Sequence, residues 1–345
     1  MIVFRADGND KVGYGHVFRC LSIADAFSEM GEKCIFLLAG TDMKAFVESR
    51  GHETRILQSS YQELEGELDQ LKKILHDLQP KLLVIDSYYV TEHYLKALQE
   101  VVNTVYLDDL AAFAYPVGLL INYNVYGPYM DYKSLYEKAN VALPELMLGP
   151  EYVPLRKQCQ GLPRRTVEAE VKNVLISTGG TDPLHVSLSL LKHIEGMGQG
   201  TDPHHYHFLV GNGNPDREEL LQLAQKQENV TIHYNIPEVT SLFLKCDLAI
   251  SASGSTLYEL CACGTPTITY AMADNQLPGN RAFKDLGLME SVGDLRGVEH
   301  LEEVLWHALE MLSSDLEKRI NYSQRMQAIV DGHGAERLAK RMFEL

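Results

Sequence analysis

Apolar residues in this chain gather in short blocks, separated by stretches where they recur every three or four positions. Ile2–Arg5, Cys34–Leu38, Leu82–Ile85, Thr104–Leu107 and Leu119–Ile121 read as buried strands. Between them, Val17, Cys20, Leu21, Ala24 and Phe27 share one helical face that stops at Gly31, a residue suited to the position just past a helix end. Helices are predicted at about 61–79 and 91–101; the first carries Leu64, Leu68, Leu71, Leu75 and Leu78 and stops at Pro80. The stretch from about 125 to 170 breaks this rhythm with Gly127-Pro128, Pro144, Gly149-Pro150, Pro154 and Gly161-Leu162-Pro163, and reads as a domain end and linker. A second series follows, with strands at 173–177 and about 206–210, 229–233, 248–251 and 266–271. Helices there include 215–227, 237–246 and 255–263, and the tail from about 299 reads as wholly helical.

Short apolar strands alternating with helices predict parallel sheets covered on both faces. The expected class is therefore α/β, with two Rossmann-like doubly wound domains at 1–150 and 165–330. A C-terminal helix at 331–345 is expected to pack back on the first domain. Two such domains would face each other across a cleft at the carboxyl ends of their strands, where open α/β sheets take ligands.

Charge narrows the function classes. The 345 residues carry 31 Lys+Arg against 47 Asp+Glu, a formal net charge of -16, which argues against nucleic-acid partners and against anionic membrane surfaces. No apolar run is long enough for a membrane span, and the first residues do not read as a signal peptide, so a cytoplasmic protein without stable membrane insertion is expected. The six cysteines fit reduced, buried thiols, and Cys261-Ala262-Cys263 lacks the spacing of a structural zinc site; no metal and no cofactor are expected. His204-His205-Tyr206-His207 opens a strand whose side chains alternate faces, so it is not read as a metal site. His52, His76, His93 and His307 have no partner at useful spacing along the chain, and Asp331-Gly332-His333-Gly334 reads as a helix break.

Polar, glycine-bearing loops after strands carry the candidate chemistry. The first runs from Arg5 through Asp7, Asp10, Gly13, Tyr14 and Gly15 into a helix that begins near His16. Its glycines permit close backbone approach, the helix start offers free N–H groups, and His16 stands where a proton acceptor is useful; packing at the helix start is the competing reading. Phe18 occupies the third-glycine position of a dinucleotide fingerprint, which disfavours NAD. Ser177-Thr178-Gly179-Gly180-Thr181-Asp182 suits a loop around a diphosphate or sugar, against a tight turn with Asp182 as a helix cap. Ser253-Gly254-Ser255-Thr256 at a helix start suits a phosphate, and Glu259, one turn on, suits a ribose; a capping box from Thr256 to Glu259 competes. Without a following lysine this is no triphosphate P-loop. Asn275 and Gln276 can bond a sugar or base edge, unless Asp274 simply caps the next helix. Asp86 and Asp109 close strands at the ligand edge, where capping and turn formation compete.

These loops together resemble a known family. Phe4-Arg5-Ala6-Asp7, Gly13-Tyr14-Gly15-His16-Val17-Phe18-Arg19-Cys20, Val84-Ile85-Asp86 with Tyr88, Leu107-Asp108-Asp109, Leu120-Ile121-Asn122 and Gly149-Pro150-Glu151-Tyr152 before Leu155-Arg156 carry the likeness in the first half. Gly179-Gly180-Thr181-Asp182, Asn214-Pro215 and Ile250-Ser251-Ala252-Ser253 through Glu259 carry it in the second. The chain is similar to the hydrolases of pseudaminic acid biosynthesis that act on UDP-2,4-diacetamido-2,4,6-trideoxy-β-L-altropyranose, and to related spore-coat polysaccharide biosynthesis proteins. The resemblance implies a glycosyltransferase-B-like fold, UDP held mainly by the second domain, and the sugar against the first. It implies His16 as the base that activates water, Glu259 near the ribose, and metal-independent hydrolysis with inversion at the anomeric carbon. UDP-sugar and water are then the partners. The family pattern has histidine where Ser87 stands and, in some members, asparagine where Tyr258 stands, and this tail beyond 300 is longer; these changes bear on the identity of the sugar. A glycosyltransferase passing the sugar to an acceptor is the alternative.

Overall fold

The computed structural model describes residues 1–9, 11–198, 202–234 and 236–345; Asp10 of the first loop lies outside the described residues. In chain order the first elements are β1 (Ile2–Ala6), α1 (Gly15–Glu29), β2 (Cys34–Leu38), α2 (Lys44–Ser49), β3 (Glu53–Ile56), α3 (Leu68–Leu78) and β4 (Leu82–Asp86). Then come α4 (Glu92–Gln99), β5 (Thr104–Leu107), β6 (Leu119–Asn122), α5 (Tyr132–Ala139), β7 (Glu145–Leu148), β8 (Asn173–Ser177), α6 (Val186–Met197) and β9 (His205–Val210). They are followed by α7 (Arg217–Ala224), β10 (Val230–Tyr234), α8 (Thr240–Lys245), β11 (Leu248–Ala252), α9 (Thr256–Cys263) and β12 (Thr267–Ala271). The chain closes with α10 (Leu277–Asp285), β13 (Glu290–Asp294), α11 (Leu301–Ser314), α12 (Leu316–Ile329) and α13 (Gly334–Phe343).

Two compact units result, one of residues 1–157 with 333–345, the other of 158–332. The first holds a seven-stranded sheet in the order β3-β2-β1-β4-β5-β6-β7, the second a six-stranded sheet in the order β10-β9-β8-β11-β12-β13. Every pairing is parallel, so each unit is Rossmann-like, and its central strands are buried from end to end.

The first unit's core packs Val3, Ile35, Leu83, Ile85 and Leu120 of the sheet against Leu68, Leu71, Leu75, Tyr94, Leu95 and Leu98 of α3 and α4. On α1, Val17, Cys20, Leu21, Ala24 and Phe27 are buried, and Gly31 (φ +82°) closes the helix with its N–H on Ser28. The helix expected from 61 begins instead at Leu68, after a single 3-10 turn at Leu64–Glu67. The Glu67 carboxylate in that turn is bound by the buried Arg5 of β1. The stretch read as linker contributes α5 and the seventh strand, β7. Helix α13 belongs to the first unit, where Arg341 pairs with Glu145 and Arg337 donates to the Glu151 carbonyl at 2.9 Å. No helix among the described residues is long and apolar enough to cross a membrane.

Candidate functional site

In each sheet the order reverses direction beside its first strand, between β1 and β4 and again between β8 and β11. Loops leave the carboxyl ends of such a pair in opposite directions and open a crevice. In the first unit Ala6, the last residue of β1, pairs in register with Asp86, the last of β4. His16 follows in the first turn of α1, and its Nδ1 lies 2.6 Å from Asp86 Oδ1. Both are buried, and the imidazole meets the Tyr88 ring edge-on with centroids 4.5 Å apart.

Arg19, one helical turn beyond His16, grips both Asp86 oxygens through Nε and Nη2. Its Nη1 donates to Asp109 Oδ2 at 3.0 Å and lies 2.7 Å from the Tyr123 hydroxyl. Asp109 also accepts from the Tyr88 hydroxyl at 2.9 Å and from Asn124 Nδ2 at 2.8 Å. Burial by itself pushes the Asp86 carboxyl up, but Arg19 and His16 outweigh it and hold the group well below the usual carboxylate range. Asp86 facing Nδ1 favours the tautomer with the proton there and the lone pair on Nε2, while Arg19 Nη2 also approaches Nδ1 at 3.1 Å. That is the tautomer of a general base.

Neither Asp86 nor Asp109 caps a helix or builds a turn, the competing reading from sequence. Asp108 does that work: its oxygens accept from the Leu110 and Ala111 amides, each at 2.9 Å, and from the Tyr115 and Tyr132 hydroxyls. Asp7 accepts from the Ala39 amide at 2.7 Å and pairs with Arg5. Gly13 (φ +81°) and Asn9 exchange backbone bonds that close the first loop, while Tyr14 and Gly15 are exposed at the start of α1. Arg156 is half-buried. His52 and His93 do have acidic partners, Asp25 at 2.9 Å and Glu65 at 2.8 Å, supplied from distant parts of the sequence.

In the second unit Gly179 (φ +81°), Gly180 and Thr181 are exposed after β8. Asp182 is buried, and its two oxygens accept the Val186 and Ser187 amides at 2.9 Å. Asp182 thus caps α6, the competing reading from sequence, and the loop before it is left as bare backbone. Helix α9 is the open one. Gly254 and Ser255 are exposed at its start, and Ser255 at the N-cap makes no side-chain capping bond. That N-cap lies four residues before the buried Glu259, which does not fit a capping box. Ser253 turns inward, bonding Thr269 at 2.8 Å and Asn280 at 2.9 Å, while Thr256 is half-buried. Asn275 is exposed, and Gln276 accepts the Met272 amide at 2.9 Å. Asp274 pairs with Arg296 at 2.8 Å and makes no capping bond.

Sequence reading missed Gly211 and Gly213, whose signal was the glycine-asparagine alternation after β9. A Cβ on Gly211 would lie 2.4 Å from the Gly179 oxygen and 2.5 Å from that of Gly180, and the Gly213 amide donates to Gly180 at 3.0 Å. This loop supports the exposed Gly179–Thr181 backbone from beneath.

No protein-family model matches the chain. Among curated proteins it is 24% identical to the spore coat polysaccharide biosynthesis protein SpsG of Bacillus subtilis, over 99% of this chain and 97% of that protein. It is 25% identical to a Helicobacter pylori protein named pseudaminic acid cytidylyltransferase and UDP-2,4-diacetamido-2,4,6-trideoxy-beta-L-altropyranose hydrolase, over 81% of this chain and 46% of that one. The Campylobacter jejuni hydrolase of the same altropyranose name is 21% identical, over 75% of this chain and 86% of its own length. Among solved structures, Acinetobacter baumannii MurG superimposes with a TM-score of 0.70 at 12% identity, covering 100% of this chain and 99% of that one. The glycotransferase of kitacinnamycin does so with a TM-score of 0.71 at 15% identity, covering 99% and 98%. The chain is thus similar to the family its loops resemble, and each unit has the Rossmann-like form of the glycosyltransferase-B class.

Proposed function

We propose that this chain hydrolyses a UDP-linked deoxy-diacetamido sugar at its anomeric carbon and releases UDP, in the making of a pseudaminic-type acid or a surface polysaccharide. The observation that supports the reading most is the buried His16–Asp86 pair, which holds the imidazole in place beside a switch-point crevice. The names of the Helicobacter and Campylobacter relatives support the substrate class.

In the proposed step a water oxygen attacks the anomeric carbon while its proton passes to His16 Nε2. The bond from that carbon to the β-phosphate oxygen breaks, and its electron pair leaves with UDP. Attack opposite the leaving group inverts the centre. The open N-terminus of α9 and the exposed Gly179, Gly180 and Thr181 amides take the diphosphate and its developing charge, so the reaction is proposed to need no metal. Glu259 is assigned to the ribose, and Asn275 with Gln276 to the sugar or base edge. Arg19, Asp86, Tyr88 and Asp109 act by holding His16; Asp7, Gly13, Tyr14, Gly15 and Arg156 line the sugar side. General-base catalysis supplies roughly 10²–10⁴-fold.

The test is incubation of the protein with candidate UDP-sugars, with NMR of the released sugar and its first-formed anomer. UDP release in water alone, lost in His16→Asn with UDP affinity kept within a few-fold, is the expected result. Release that requires an added acceptor would replace hydrolysis by transfer, and unchanged turnover in His16→Asn would overturn the assignment of the base.

A further inference from the structure

The second unit buries a chain of polar side chains centred on Asn280, the fourth residue of α10. Asn280 is 2% exposed; its Nδ2 donates to Ser253 Oγ at 2.9 Å, and its Oδ1 accepts from Ser291 Oγ at 2.7 Å. The Ser253 and Thr269 hydroxyls lie 2.8 Å apart, and Ser291 Oγ accepts the Gly293 amide at 3.2 Å. Asn280, Ser253, Ser291 and Thr269 are all buried. A polar network in such surroundings is stiff when every member is satisfied, because a missing partner costs more than it would in water.

The strands explain how Ser291 comes to join it. Thr269 of β12 pairs with Ser291 of β13, but Tyr270 pairs with Gly293, so β13 carries one extra residue at this level. Gly293 takes φ +84° there. A bulge bends its strand and re-aims the side chains beside it, and Ser291 meets α10.

At its other end the chain reaches Ser253, whose backbone amide donates to the Tyr270 carbonyl at 2.8 Å. Main chain and side chain of Ser253 are thus both tied, immediately before the exposed Gly254 and Ser255 at the start of α9. Asn280 stands four residues after Gln276, in the helix that follows the Asp274–Gln276 turn. One carboxamide therefore joins the helix start assigned above to the diphosphate with the loop assigned to the sugar or base edge.

We propose that Asn280 is a positioning residue for nucleotide binding: braced by Ser291, it fixes Ser253 and so presents the open start of α9 and the 274–276 loop together to one UDP-sugar. The role rests on the reading of α9 as the diphosphate's helix.

Hydrogen exchange on the full chain without ligand tests the bridge, and calorimetric titration with UDP tests its consequence. In Asn280→Leu and in Ser291→Ala, amides of residues 253–256 are expected to exchange about tenfold faster than in wild type, and UDP to bind about tenfold more weakly. With a UDP-sugar the loss is expected in KM, with kcat kept within a few-fold. Thr267→Val removes another buried hydroxyl of β12, one that donates to the Thr265 carbonyl at 2.7 Å. It is expected to lower stability while leaving exchange at 253–256 and UDP affinity at wild-type values. Unchanged exchange at 253–256 in both bridge variants, equal changes in Thr267→Val, or a fall in kcat with KM unchanged (the mark of a smaller folded fraction) would overturn the proposal. Failure of the diphosphate reading registers separately, as a wild type that takes no UDP, because the exchange measurement needs no ligand.

Discussion

His16 Nδ1 and Asp86 Oδ1 lie 2.6 Å apart across 70 residues of sequence, joined because β1 and β4 are neighbours in register. That bond favours Nδ1 as the nitrogen that carries the proton. Asp86→Asn keeps the shape but removes the anion that selects the tautomer. Turnover of a UDP-sugar is expected to fall by about 10⁴-fold, the size seen when a histidine base loses its orienting aspartate, with UDP affinity within a few-fold. Steady-state kinetics with a parallel UDP titration measures both; near-normal turnover would remove Asp86 from the mechanism.

Arg19 holds Asp86 and Asp109 together. Arg19→Met leaves the buried Asp86 and the half-buried Asp109 without their cation, so its cost is expected in stability as well as rate. Breaking such a pair costs about 3–5 kcal/mol. Denaturant unfolding followed in wild type and variant reads this, and a loss below about 1 kcal/mol would mean that water had replaced the guanidinium.

In the second unit Gly211 faces the Gly179–Thr181 backbone. A methyl group there meets two carbonyl oxygens at 2.4 and 2.5 Å, contacts that no rotamer change relieves. Gly211→Ala is expected to displace the loop and weaken UDP binding about tenfold or more by calorimetry, whereas the exposed Gly254→Ala, with open space around its Cβ, changes it less. Equal effects would mean that Gly179–Thr181 does not hold the diphosphate.

His207 is buried on β9, 3.0 Å from His233 and 3.1 Å from Asn173. Burial first, then Lys245, His205 and His233, lower its pKa from 6.5 to about 4. The unfolded chain therefore binds the proton more readily, and stability rises with pH across this window. Stability is expected to be level above pH 6.5 and to fall as pH drops from 6.5 towards 4. Denaturation midpoints across that range should fall less steeply in His207→Gln; parallel slopes would assign the acid sensitivity to other groups.

Sequence alone determined the strand–helix alternation, the two parallel sheets and the loops that leave their carboxyl ends, because central strands are buried on both faces and written as unbroken apolar runs. Edge strands β3 and β13 escaped notice: half-buried, their Glu53-Thr54-Arg55-Ile56 and Glu290–Asp294 stretches carry no such run. Strand β7 hid behind Pro144 in a stretch dense with turn signals. The loops could be located, but each side chain's task could not. Asp86, Asp108, Asp109 and Asp182 all follow or end strands and look alike in sequence. Only tertiary structure gave Asp86 to His16, Asp108 to the Leu110 and Ala111 amides and Asp182 to the α6 N-terminus. A carboxylate takes whichever donors the fold brings within 3 Å: for Asp86 these come from a helix 70 residues away, for Asp108 and Asp182 from amides two to five residues on, and the sequence does not say which applies.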